Sequence, residues 1–201
     1  MRTPWITRLE ILLSIALVLG CLGALGGLLM SVVIAFFDVP NGIGIPLRVF
    51  DVPTGGMAAD GALIDSASAE VTIRPGGAAP LAALLFLLMW APATATGLMA
   101  LFTLVRALHR ARLGDRALFS AATAGDLRWL GWILIGGSLA SAAIGMVAEA
   151  ILSSMLLTTS YPIYMPPGTL LWAAVAGVAA LSVSEIVRRG VALLEEVEAT
   201  I

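Results

Sequence analysis

The stretch WLGWILIGGSLASAAIGMVAEAILSSMLL, Trp129–Leu157, carries a single charged side chain, Glu149. A helix needs about 20 mostly apolar residues to cross the hydrocarbon core of a bilayer, and this run exceeds that length. Three other segments pass the same test: Leu9–Phe37, Leu81–Leu108 and Gly168–Val187. Composition agrees, since 60% of the 201 residues are hydrophobic, against roughly 45 to 50% in ordinary soluble domains. The chain therefore reads as an all-α membrane protein with four transmembrane helices. It forms one four-helix domain, 1–201, with spans at about 9–37, 81–108, 129–157 and 168–187. Between them lie an outer segment, 38–80, a loop, 109–128, and a short link, SYPIYMPP; a tail, 188–201, follows.

Orientation follows from the arginines, because short cytoplasmic loops are enriched in Arg and Lys. Arg2 and Arg8 precede span one, Arg106, Arg110, Arg112, Arg116 and Arg128 flank the middle loop, and Arg188 and Arg189 follow span four. These nine of eleven arginines share one side if the helices alternate in direction. The expectation is a bacterial plasma (inner) membrane protein with both termini and the middle loop in the cytoplasm. The outer segment has only Arg48 and Arg74 against five acids. Trp129 and Trp132 at one end of span three, with Tyr161 and Tyr164 beyond the other, suit aromatic anchoring at the two interfaces. Within the outer segment, Ile45, Leu47 and Val49 alternate in IPLRVFDV, and Val71 and Ile73 alternate in AEVTIRP. Period two with β-branched residues predicts two short strands, an extracytoplasmic β-containing cap between helices 1 and 2.

Other chemistry is scarce. One cysteine excludes a disulfide within these residues, and one histidine excludes a His-based metal cluster. VLGC, Val18–Cys21, loosely resembles a lipoprotein cleavage box, but the apolar run continues past Cys21 to Phe37, which favours a retained helix. The Gly-x-Gly of NGIGIP neither follows a strand nor opens a helix, so it reads as turn chemistry. No Cys-x-x-Cys, His-Glu-x-x-His, Gly-x-Ser-x-Gly or nucleotide loop occurs, and His109 stands among arginines. The expectation is no enzyme, no cofactor and no metal; a formal charge of -2 gives no reason to expect direct nucleic-acid binding.

The middle loop admits two readings: its arginines set topology and meet anionic headgroups, or they form a docking face for a cytoplasmic protein. The docking candidates are Arg110, Arg112, Arg116, Phe119, Arg128, Arg188 and Arg189. Glu185 precedes Arg189 by four residues, the favourable order on a helix, so span four should continue beyond the membrane. Val191, Leu194 and Val197 then form an apolar stripe opposite Glu195, Glu196 and Glu198.

Several of these residues resemble a family of bacterial inner-membrane proteins, domain of unknown function 2975. The matching residues are Phe119, Leu127 with Arg128, Leu130-Gly131-Trp132, Arg188-Arg189-Gly190 and Thr200-Ile201, where the family closes on Thr-Val. The likeness covers nearly the whole chain in layout. It implies no activity, and it implies, as a partner, a small helix-turn-helix DNA-binding regulator in the cytoplasm.

An ionised carboxylate in hydrocarbon is costly, so Glu149 should face other helices and be protonated or paired. If span three fills the core from about Ile133 to Ser153, Glu149 lies roughly 6 Å below the outer surface. Ser138, Ala142, Gly145 and Ser153 form a small-residue stripe near it, with Gly23 and Gly27 of span one and Thr94, Thr96 and Gly97 near Pro92 of span two as potential neighbours. A kink at Pro92 would free a carbonyl for it. Glu149 and Ser153 are thus the candidate intramembrane polar site, either a structural hydrogen bond or part of a small-solute or ion pathway. Whether the Gly23/Gly27 face packs within the chain or makes a homo-oligomer is left open by the sequence. The reading preferred for the whole is a regulatory or interaction protein in the lipid bilayer, with a solute pathway using Glu149 as the alternative.

Overall fold

A computed structural model of the chain describes residues 4–37, 44–50, 68–111, 121–157 and 167–199. Helix α1 spans Pro4–Phe36, strands β1 and β2 span Ile45–Phe50 and Ser68–Ile73, and helix α2 spans Pro80–Ala111. Helix α3, Ala121–Trp132, runs through a π turn, Ile133–Gly137, into helix α4, Ser138–Leu156; helix α5 spans Pro167–Ala199. Four helical segments are long and apolar enough to cross a membrane: Thr7–Phe36, Pro80–Arg110, Ala122–Leu156 and Leu170–Ala192. Their outward surfaces are apolar, with Leu19 62% and Trp172 74% exposed. Lipid removes the cost that such a surface would carry in water.

The chain divides into two compact units. The first comprises Met1–Leu25, Ala91–Ala142 and Pro167–Ile201. Its closest packing is between α3 and α5, where two glycines let the backbones approach. A Cβ on Gly131 would lie 2.6 Å from Leu181 Cγ and 2.9 Å from the Gly177 carbonyl oxygen; one on Gly177 would lie 2.5 Å from Ile135 Cγ1. With so little room, only glycine fits at either position. The buried Ser184 hydroxyl donates to the Ala124 carbonyl at 2.7 Å, fixing the crossing further.

The second unit comprises Gly26–Trp90 and Ala143–Pro166. Its strands pair antiparallel, Ile45 opposite Ile73 and Leu47 opposite Val71. Alternation sends Ile45, Leu47 and Val49 to one face, and all three are buried. Ile45 and Leu47 join Ile34 of α1, Ala82, Ala83 and Leu85 of α2, and Ala148 and Leu152 of α4 in one apolar core. The expected strands are present, and they cap this core through β1 more than β2, whose Val71 is 39% exposed. Gly77, at φ 118°, turns the chain from β2 towards α2 in the left-handed region where a side chain is strained. Pro80 then occupies the first helical position, where its missing N–H costs nothing. The Ala79 amide donates to the Ile34 carbonyl near the end of α1 at 3.2 Å.

The glycine pair of span one does not act as a pair. A Cβ on Gly27 would strike the Trp90 ring at 2.7 Å, whereas Gly23 has nothing within 4 Å. Gly27 therefore packs within the chain and Gly23 faces outward.

Candidate functional site

In the first unit the charged side chains gather where helix ends meet. His109 Nδ1, near the end of α2, lies 2.9 Å from Glu10 Oε1, near the start of α1. Arg110 donates to Asp126 Oδ2 at 2.6 Å, joining the end of α2 to the start of α3, and both side chains are partly buried. The Ser184 bond joins the start of α3 to the latter half of α5. Glu185 then receives Arg188 at 2.9 Å and Arg189 at 2.8 Å, one helical turn away. These contacts bring together the start of α1, the end of α2, the start of α3 and the C-terminal half of α5. His109 does not stand alone among arginines, because Glu10 faces it.

Of the docking candidates, Arg110 pairs with Asp126, and Arg188 and Arg189, both exposed, share Glu185. Arg128 is exposed and has no ion pair among the described residues. Arg112, Arg116 and Phe119 lie outside the described residues, as do Gly114, Asp115, Ser120, Tyr161 and Tyr164. Helix α5 continues to Ala199, but the side chains of Leu194 and Val197 in the expected apolar stripe also fall outside the description.

A polar crossing between α2 and α4 lies deeper in the same unit. Thr96 Oγ1 donates to the Pro92 carbonyl at 2.8 Å, Ser141 Oγ donates to the Gly137 carbonyl at 2.6 Å, and the two hydroxyls are 3.1 Å apart. Each hydroxyl owns one proton, so two protons serve three contacts: the hydroxyls bond to each other only when one releases its carbonyl. Gly137 closes the crossing, since a Cβ there would lie 2.6 Å from Thr96 Cγ2. It ends the five-residue π turn, in which the helix accommodates one residue more than an α-turn would. Pro92 lies inside an uninterrupted α2. Sequence reasoning picked out Thr96 and Pro92 but missed Ser141; the Gly136-Gly137 pair beside it was the available signal.

Glu149 belongs to the second unit. It is half-buried on α4 between the buried Ala148 and Leu152 and makes a polar or electrostatic contact with a neighbour. Ser153 donates to the Ala150 carbonyl at 3.0 Å, an ordinary local helix bond. A Cβ on Gly145 would rest 3.5 Å from the Met89 carbonyl oxygen, in normal van der Waals contact with α2. Among the described residues, no group of three His, Cys, Asp or Glu side chains is placed to hold a metal ion.

The sequence model of the family described as "Protein of unknown function (DUF2975)" matches residues 56–201. The chain belongs to this family. The DUF2975 match takes in Leu130-Gly131-Trp132 and Arg188-Arg189-Gly190, and the structure gives the first motif a physical role: its glycine lets α3 pack closely on α5. Helix α1 and strand β1 precede the matched residues. No curated protein and no solved structure matches the chain.

Proposed function

We propose that this DUF2975 protein is a regulatory or interaction protein of the bacterial plasma membrane, not an enzyme, and that it engages a cytoplasmic partner through residues 109–128 and the C-terminal tail. The observation that supports this is the meeting of four arginine-bearing helix segments through the Glu10–His109, Arg110–Asp126 and Ser184–Ala124 contacts. A basic end of this kind belongs in the cytoplasm by the positive-inside rule, which puts the β-hairpin outside. The partner class implied by the family resemblance is a small helix-turn-helix regulator. Arg110 holds Asp126, so the residues assigned to contact the partner are Arg112, Arg116 and Phe119. The test is crosslinking in cells from a photoreactive residue at Leu118, with and without R112Q/R116Q. Capture of a DNA-binding protein that the double variant abolishes supports the reading. Capture of only lipid or the protein's own tail overturns it.

A second reading, a small-solute or ion pathway using Glu149, draws on the half-buried position of that carboxyl in an otherwise apolar span. Flux in proteoliposomes that changes with Glu149→Gln favours it. Absence of flux through the parent protein removes it.

A further inference from the structure

We infer that helix α3 carries a binding site for the headgroup of an anionic phospholipid, built from Arg128, Trp129 and Trp132. This goes beyond the proposed partner, whose contacts are assigned to Arg112, Arg116 and Phe119. The inference starts from the pairing of charges in the first unit. The acids of this unit whose side chains are described, Glu10, Asp126 and Glu185, are each held by His109 or an arginine. Arg8, Arg106 and Arg128 are exposed and have no ion pair among the described residues. These three arginines therefore keep a positive charge that none of the described carboxylates pairs with.

At Arg128 that charge sits beside two exposed aromatic rings. Trp129 is 59% and Trp132 55% exposed. Arg128 and Trp132 are four residues apart and Trp129 and Trp132 three, so the side chains form one ridge on the helix surface. Gly125, one turn earlier, has no described residue within 4 Å of where its Cβ would be. A planar guanidinium forks onto two phosphate oxygens. Indole rings settle at headgroup depth with the N–H towards the polar side. A phospholipid presents a phosphate beside an apolar body, and an anionic one also supplies a counter-charge to Arg128. Asp126, the nearest acid in sequence, does not compete, because Arg110 holds it.

The test compares variants of equal charge in the full-length protein. Binding of spin-labelled phosphatidylglycerol and phosphatidylcholine is measured in bilayers of both lipids. R128Q should lower the preference for phosphatidylglycerol about five-fold, the factor that ~1 kcal/mol per arginine near the surface represents. R128K, which keeps the charge but loses the fork, should retain only part of it, and W129F/W132F should weaken it with Arg128 in place. R188Q removes the same formal charge from an arginine that shares Glu185 with Arg189 and has no indole one turn away, and should lower the preference by less than about two-fold. Equal losses in R128Q and R188Q would show that lipid senses net charge alone and would overturn the site. An unchanged preference in R128Q, or loss of a captured cytoplasmic protein instead of lipid, would also overturn it.

Discussion

Gly177→Ala tests the fold at its tightest point. The new Cβ would stand 2.5 Å from Ile135 Cγ1, 3.2 Å from Ile135 Cδ1 and 3.1 Å from the Gly131 carbonyl oxygen. Carbon atoms rest at about 3.5 to 4.0 Å, so α3 and α5 must part by roughly an ångström or Ile135 must leave its place. Overpacking typically costs about 1 to 3 kcal/mol, and so close a contact argues for the upper end. Alanine returns up to about 1 kcal/mol of helix propensity. The net loss is about 2 kcal/mol, roughly 30-fold in the unfolding equilibrium. It can be measured by reversible unfolding with dodecyl sulfate in mixed micelles, followed by tryptophan fluorescence. The same substitution at Gly97 or Gly125, where a Cβ has open space, should be neutral or stabilising. In an Ile135→Ala background the Gly177→Ala penalty should largely vanish, because the atoms at 2.5 and 3.2 Å are gone. Gly131→Ala should not be rescued by Leu181→Ala, because the Gly177 carbonyl oxygen remains at 2.9 Å. A Gly177→Ala protein as stable as the parent, or a penalty indifferent to Ile135, would refute the packing described here.

Three further predictions use the same unfolding measurement. Asp126→Asn should cost about 1 to 2 kcal/mol, between exposed and buried ion pairs, and the reversed pair R110D/D126R should recover part of it. Leu47→Ala should cost about 2 to 5 kcal/mol because Leu47 is 1% exposed; Val71→Ala, opposite it on β2, should cost under about 1 kcal/mol. A double-mutant cycle of Thr96→Val and Ser141→Ala should give a coupling near 0.6 and not above ~1.7 kcal/mol, the range for interhelical hydrogen bonds in membranes, since each hydroxyl already has a carbonyl on its own helix.

What the sequence made legible was length and period. Span-length apolar runs gave four helices, and alternation in Ile45-Leu47-Val49 gave a strand with a buried face. Neither feature specifies how a helix is rotated about its axis. Helix α1 is apolar on every side, so nothing in its pattern says that Gly27 meets Trp90 while Gly23 faces outward. The π turn adds a second obstacle. One extra residue shifts the phase by roughly 100°, so residues of α3 and α4 cannot be placed on one helical wheel. Contacts such as Glu10–His109, 99 residues apart, and Thr96–Ser141, 45 apart, depend on those rotations.

The arginines show what this means for function. Eleven identical charges carry a statement about sidedness, because the positive-inside rule counts them without regard to partners. Recognition depends on which of them remain available. Asp126 pairs with Arg110, and Glu185 with the exposed Arg188 and Arg189, through tertiary packing at Asp126 and one helical turn at Glu185. The second was visible as an i, i+4 spacing; the first required knowing that the end of α2 meets the start of α3. Arg128 is exposed beside the exposed Trp129 and Trp132 and has no ion pair among the described residues. A substitution there should therefore change what the surface binds while leaving the packing intact, whereas a substitution at Arg110 should change the packing first.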